Sequence, residues 1–148
     1  MNQLEKFNAQ YAVQIELPIQ WGDMDAFNHV NNAMYFRYFE SARIAYFEKL
    51  GVMEIGSKNN IAPILAETNC RYKLPLNYPD TILVGARIIE NHSYGFMMEY
   101  AVYSYQHKKI SSIGTGRIVM LNYATHEKVK VDSELLSKIN ELEKTPTD

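Results

Sequence analysis

Cysteine is almost missing from this sequence. Cys70 is the single one, which excludes an intrachain disulfide framework and suits a reducing compartment. No apolar run approaches the ~20 residues of a membrane-spanning helix. Met1 to Tyr11 is polar and lacks the apolar segment of a secretory signal. Neither charge is in excess: 15 Lys and Arg against 17 Asp and Glu leave a net charge of −2, which argues against a nucleic-acid binder. The four histidines, His29, His92, His107 and His126, show no metal-ligand spacing, so no structural zinc is expected. Neither Gly-x-Gly-x-x-Gly nor a P-loop occurs, so no nucleotide-phosphate loop is indicated. Repeats and low-complexity blocks are missing too; only Lys144 to Asp148 reads as a frayed tail. The expectation is a cytoplasmic, soluble protein with no membrane span.

What is present suffices for one core. The 148 residues are 47% apolar and 12% aromatic, the size and composition of one ordinary domain over 1–148. Val13, Ile15, Leu17 and Ile19 alternate with polar residues, as in a strand with one buried face, and Pro18 places that strand at a sheet edge. After a turn-like stretch the period changes. Tyr35, Tyr38, Phe39, Ala42, Ala45, Tyr46 and Leu50 form one helical stripe; Phe36 and Phe47 lie outside it, so the helix is covered on most sides. Asn31 is the candidate N-cap and Gly51 the stop. Strand patterns follow over 61–74, 81–90, 94–105 and 109–122, the last two joined by a hairpin-length gap. Gly114 and Gly116 mark a bulge, a close backbone approach, or relief of crowding against the helix. A final amphipathic helix spans about 132–143, capped by Asp132 or Ser133. Strands with short links favour an antiparallel sheet, and one long apolar helix needs a sheet to bury it. The fold class is α+β, an antiparallel sheet wrapped around one long helix, with a core over about 12–123.

The densest polar cluster is Asp23, Asp25, Asn28, His29, Asn31 and Asn32, between the first strand and the long helix. The first turn of a helix carries unpaired amides and partial positive charge, so it can hold a carboxylate, a phosphate or a developing oxyanion. A carboxylate beside such amides supplies a nucleophile or base plus an oxyanion hole. Asp and Asn are also common in plain turns, and composition alone leaves both readings open. His29 alone reads first as a turn residue, with a base role open to it. Glu40 pairs with Arg37 or Arg43 as surface ion pairs three apart, or is partly buried beside Phe36 and Phe47. Cys70 reads as strand packing.

The stretch Trp21-Gly-Asp-Met-Asp-Ala-Phe-Asn-His-Val-Asn-Asn32, with Tyr35 and Glu40-Ser-Ala-Arg43 behind it, resembles the hot-dog-fold acyl-CoA thioesterases, closest to the 4-hydroxybenzoyl-CoA thioesterase-like branch. Arg71-Tyr-Lys-Leu-Pro-Leu-Asn-Tyr-Pro-Asp80 matches the same family. The resemblance covers about 12–123. It implies a homodimer or homotetramer, joined edge to edge, with active sites at the dimer interface. It implies hydrolysis of an acyl-CoA or acyl-carrier-protein thioester, with coenzyme A as part of the substrate and no other cofactor. By the same resemblance Asp25 is nucleophile or general base, the Asn32 amide polarises the carbonyl, His29 is a second-rank catalytic candidate, and Tyr35 and Glu40 lie by the substrate. Asn28 replaces a common family glycine and suits a left-handed turn. The basic residues that meet coenzyme A phosphates are not singled out among Arg71, Lys73, Arg87, Lys108 and Lys109. The fold also hosts enoyl-thioester hydratases and dehydratases, and a non-catalytic acyl-thioester binding module is the third alternative.

Overall fold

The computed structural model describes residues 1–144, and of Ile55 the backbone only. The tail expected beyond Lys144 therefore lies outside the described residues. Helix α1 (Gln3–Gln10) precedes strand β1 (Val13–Pro18); a short 3-10 turn (Trp21–Asp23) leads through the polar loop to helix α2 (Met34–Leu50). Helix α3 (Val52–Asn59), strands β2 (Ile61–Tyr72), β3 (Thr81–His92), β4 (Gly95–Ser104), β5 (Lys109–Asn122) and β6 (Glu127–Lys128), and helix α4 (Ser133–Leu142) complete the chain. The sheet runs β1-β3-β4-β5-β2, every pair antiparallel, with β6 on the end of β5.

Alternation along the strands sorts side chains onto two faces. Ile82, Val84 and Ala86 of β3, with Phe96, Met98, Tyr100 and Val102 of β4, meet α2 in the main core. Leu83, Ala101 and Tyr103 point the other way and meet Phe7 and Tyr11, so α1 covers part of the outer face. The sequence pattern does not reveal that helix, because its stripe is short, although Asn2 and Glu5 form a capping box that marks its start. Gly51 ends α2 at φ 72°, as expected of a left-handed cap. Asn31 is not the α2 N-cap. Ala33 holds that position, and the Asn31 side chain instead accepts from the Ala33 amide at 3.0 Å, one step before the helix. Gly114 and Gly116 relieve crowding: a methyl at Gly114 would strike the Phe39 ring and the Asn69 carbonyl, and one at Gly116 the Tyr100 hydroxyl.

The two sheet edges differ. β1 is short, with exposed Glu16 and Pro18. β2 is twelve residues long, bulged between Leu65 and Glu67, and exposes Ile64 and Leu65 at 41% and 39%. It ends at Tyr72, short of the expected 74, because Lys73 and Leu74 turn their amides onto the Ser111 carbonyl.

Candidate active site

The polar loop is a small hairpin. Met24 pairs with Val30, the Asp25 amide donates to the His29 carbonyl at 2.8 Å, and the Asn28 amide donates to the Asp25 carbonyl at 3.1 Å. Asn28 sits at φ 62°, the left-handed conformation asparagine tolerates. The loop is fixed from outside by the Val30 amide on the Leu76 carbonyl, which ties it to the chain following β2.

Its two aspartates have different surroundings. One Asp23 oxygen accepts from the Gln20 amide at 2.9 Å and the Tyr38 hydroxyl at 3.0 Å, and its carbonyl accepts from the Asn31 amide. Tyr38 is raised above the usual phenol range by burial, and then by the Asp23 charge. Asp23 thus ties turn to helix. Asp25 faces solvent more openly. One of its oxygens accepts from the Phe27 amide at 2.9 Å and, at 3.5 Å, from the His29 amide. Among the described residues, nothing donates to its second oxygen.

Asn32 contributes backbone. Its carbonyl accepts from the Tyr72 hydroxyl at 2.7 Å, and among the described residues no group accepts from its amide. The flanking Asn31 and Ala33 amides are both engaged. The Asn32 amide is therefore a free donor just before α2, whose first-turn Tyr35 and Phe36 amides also lack acceptors among the described residues, and it lies in the same loop as a carboxylate with a free oxygen. Tyr72 was not among the expected site residues. Its place in the second family-like stretch was the signal, but only the fold brings the end of β2 to the start of α2.

The other expected residues divide. His29 is exposed, and its side chain has no hydrogen-bond partner among the described residues. Tyr35 belongs to the core at 2% exposure, its ring 4.9 Å from that of Tyr72; burial first pushes its hydroxyl up to about 12. It braces the site from beneath. Glu40 is exposed rather than partly buried, because the α2 face carrying it looks onto the open β2 edge. It lines a shallow cavity of about 280 Å³ with Ala33, Phe36, Arg37, Arg43, Leu65 and Thr68. The ion pairs expected of Glu40 do not form among the described residues, where the pairs are Arg87–Glu99 and His92–Glu90. Arg43 is instead 8% exposed, donating to the Tyr100 hydroxyl at 3.2 Å with its guanidinium 5.8 Å from that ring's centre. Most of the aromatic residues on α2 are core: Tyr38, Phe39 and Phe47 are buried, and only Phe36 reaches the cavity. Among the described residues no cluster of His, Cys, Asp and Glu could hold a metal ion, and no helix is long and apolar enough to cross a membrane.

Comparison with known proteins places this geometry in a family. The model of the thioesterase-like superfamily matches residues 19–139. The long-chain acyl-CoA thioesterase FadM of Escherichia coli (strain K12) is 19% identical over 132 residues, 89% of this chain and 100% of that protein. A thioesterase from Thermus thermophilus, solved in complex with coenzyme A and Zn, has a TM-score of 0.81 at 24% identity, covering 93% of this chain and 98% of that one. A DHNA-CoA thioesterase from Staphylococcus aureus has 0.77 at 20% identity, covering 88% and 91%. The solved structures share the hot-dog fold, a curled antiparallel sheet with a long helix. With the family match running from the polar loop to α4, the chain belongs to the thioesterase-like superfamily.

Proposed function

We propose that the protein hydrolyses an acyl-CoA thioester, as a member of the 4-hydroxybenzoyl-CoA thioesterase-like branch. The observation that carries this reading is the free Asn32 amide in one loop with the free Asp25 oxygen. The thioester carbonyl oxygen accepts from the Asn32 amide, which stabilises the negative charge that grows there; one such donor is typically worth ~2.7–4 kcal/mol of barrier. Asp25 takes a proton from water, whose oxygen attacks the carbonyl carbon, or attacks directly to give an anhydride that water then opens. The C–S bond breaks, and the thiolate leaves and takes a proton from solvent. The products are the free acid and coenzyme A. His29, across the hairpin from Asp25, is the second candidate for proton transfer, and Glu40 faces the acyl group.

The working unit is a homo-oligomer. The long β2 edge, with Ile64 and Leu65 exposed, is a template for pairing with a second copy. Trp21 and Phe27, 73% and 81% exposed around the loop, gain cover in the same step. Pairing there would roof the shallow cavity between α2 and β2, so each site is completed by its partner.

The test is free-thiol release from short, medium and long acyl-CoA and a benzoyl-type CoA, with wild type and Asp25→Asn side by side. Release by wild type that collapses in the variant supports the reading. No release from any member would sink it, leaving a carrier-protein-specific enzyme, a hydratase or a binding module.

A further inference from the structure

Among the described residues, Arg43 is the one charged side chain that is buried, and no carboxylate pairs with it. A guanidinium keeps its charge when buried, and an unpaired buried charge is costly. Its hydrogen-bond partner is the Tyr100 hydroxyl, 3.2 Å from Nη1. Burial holds that hydroxyl above the usual phenol range, against the pull of Arg43 itself, so it stays neutral and leaves the charge unbalanced. Of the donors in the planar fork, those on Nε and Nη2 have no acceptor among the described residues. The contact with Tyr100 is held firmly: that ring stacks on Phe39 at 5.0 Å, and Gly116 leaves room for its hydroxyl. Arg43 is therefore fixed on one side and unsatisfied on the other.

Arg43 lines the cavity of about 280 Å³ between α2 and β2, and at the other end of that cavity is Ala33, the residue after Asn32. The cavity thus joins the free amide to the buried guanidinium. Arg37 and Glu40 also line it, and both are exposed. Two cations and one carboxylate leave one positive charge over. Water and salt screen Arg37 and Glu40, whereas buried Arg43 is screened much less. Arg43 lies about 15 Å beyond Ala33 along α2 at ~1.5 Å per residue, and helical side chains lean back toward the N-terminus, which narrows the gap to roughly 10 Å. At ~1.2 Å per bond of an extended chain, that is the reach of about six to eight carbons. We propose that Arg43 binds a carboxylate at the far end of the acyl chain, so that the substrate class is a medium-length acyl thioester with a terminal acid; this rests on thioester hydrolysis at the Asp25–Asn32 site. The planar fork suits a carboxylate, which it can hold by two parallel N–H···O bonds. Phe36 and Leu65 flank the methylenes in between. A plain fatty chain brings only a methyl group to a buried cation and leaves the charge unbalanced.

The test compares thiol release from hexanedioyl-CoA and octanedioyl-CoA with release from hexanoyl-CoA and octanoyl-CoA. In at least one pair, wild type is expected to show a kcat/KM at least about tenfold higher for the acid, the effect of a charge-assisted contact. Arg43→Gln keeps a donor for Tyr100 and removes the charge, and should bring that ratio to about one or below, with a melting curve to show that it is folded. Arg37→Gln, at an exposed position on the same wall, should lower the ratio about threefold. A wild-type ratio of one or below in both pairs overturns the proposal, as does a folded Arg43→Gln that keeps the wild-type ratio. If Arg43→Gln melts early, the wild-type ratio and the Arg37→Gln shift decide the matter. A weaker dimer in Arg43→Gln with the ratio unchanged would make Arg43 an interface residue and overturns the proposal too. Calorimetry with an ω-carboxyalkyl thioether of coenzyme A, against the matching alkyl thioether, separates this from the hydrolase reading. A preference for the carboxylate that depends on Arg43, without thiol release from any thioester, would refute hydrolysis and keep the acid-binding pocket. Thiol release from neutral chains alone would keep the hydrolase and refute the pocket.

Discussion

Asp23 and Asp25 stand two residues apart in one loop and have opposite surroundings. Asp23 accepts from a backbone amide and a tyrosine hydroxyl, and both partners belong to the loop or to α2. Asp25 has one oxygen unclaimed among the described residues. The sequence motif presents them as near equals. Their hydrogen bonds assign one to architecture and leave the other available for chemistry, because a carboxylate already accepting strong bonds is held in place and a free one can meet a substrate.

The contrast can be broken at several points. Asp25→Asn preserves shape and removes the charge, and is expected to lower kcat by ~10²–10⁴ while leaving the thermal melt near that of wild type. Steady-state thiol release and a melting curve check it together. Asp23→Ala should do the reverse, costing about 1–2 kcal/mol of stability by stranding the Tyr38 hydroxyl and the Gln20 amide. Denaturant unfolding measures that loss, and the folded fraction should keep most of its kcat. Tyr72→Phe sharpens the comparison from the donor side. It removes a bond worth about 1 kcal/mol from the Asn32 carbonyl and should lower kcat roughly fivefold, with KM less affected. An equal kcat would show that the peptide holds its orientation unaided.

The smallest effect is in alkali. Burial pushes the Tyr35 hydroxyl up to about 12, so the folded chain keeps that proton where an unfolded chain loses it near 10. The unfolded state then binds fewer protons, and stability falls as pH rises from about 10 to about 12. Melting temperatures across that range, with Tyr35→Phe showing a shallower fall, report it.

Much of the fold was legible because period-two and helical patterns record burial on one face. The α2 stripe and its Gly51 stop, and the run of antiparallel strands, follow from that. Helix α1 was not legible from its apolar content, since Phe7 and Tyr11 become core only against Leu83, Ala101 and Tyr103 on distant strands. Arg43 was misread for a related reason. A surface arginine and a buried one look alike in sequence, and what buries this one is Tyr100, with Gly116 leaving room for its hydroxyl. At the site, the loop residues were visible as a motif. The Asn32 amide was named only through the family resemblance, and the Tyr72 brace on its carbonyl was not legible, because that contact joins segments far apart in the chain.

The unequal edges of the sheet have a consequence for assembly. In the vocabulary of polymer chemistry, a monomer with two reactive ends grows into a chain, whereas a monomer with one can only couple. Strand β1, short and ending in proline, is a blunt end; β2, twice as long and with Ile64 and Leu65 exposed, is the reactive one. In the proposed dimer, coupling two copies through β2 consumes both reactive ends at once, so edge-to-edge growth would terminate at its first step, and the feature that invites association would also guard against fibres.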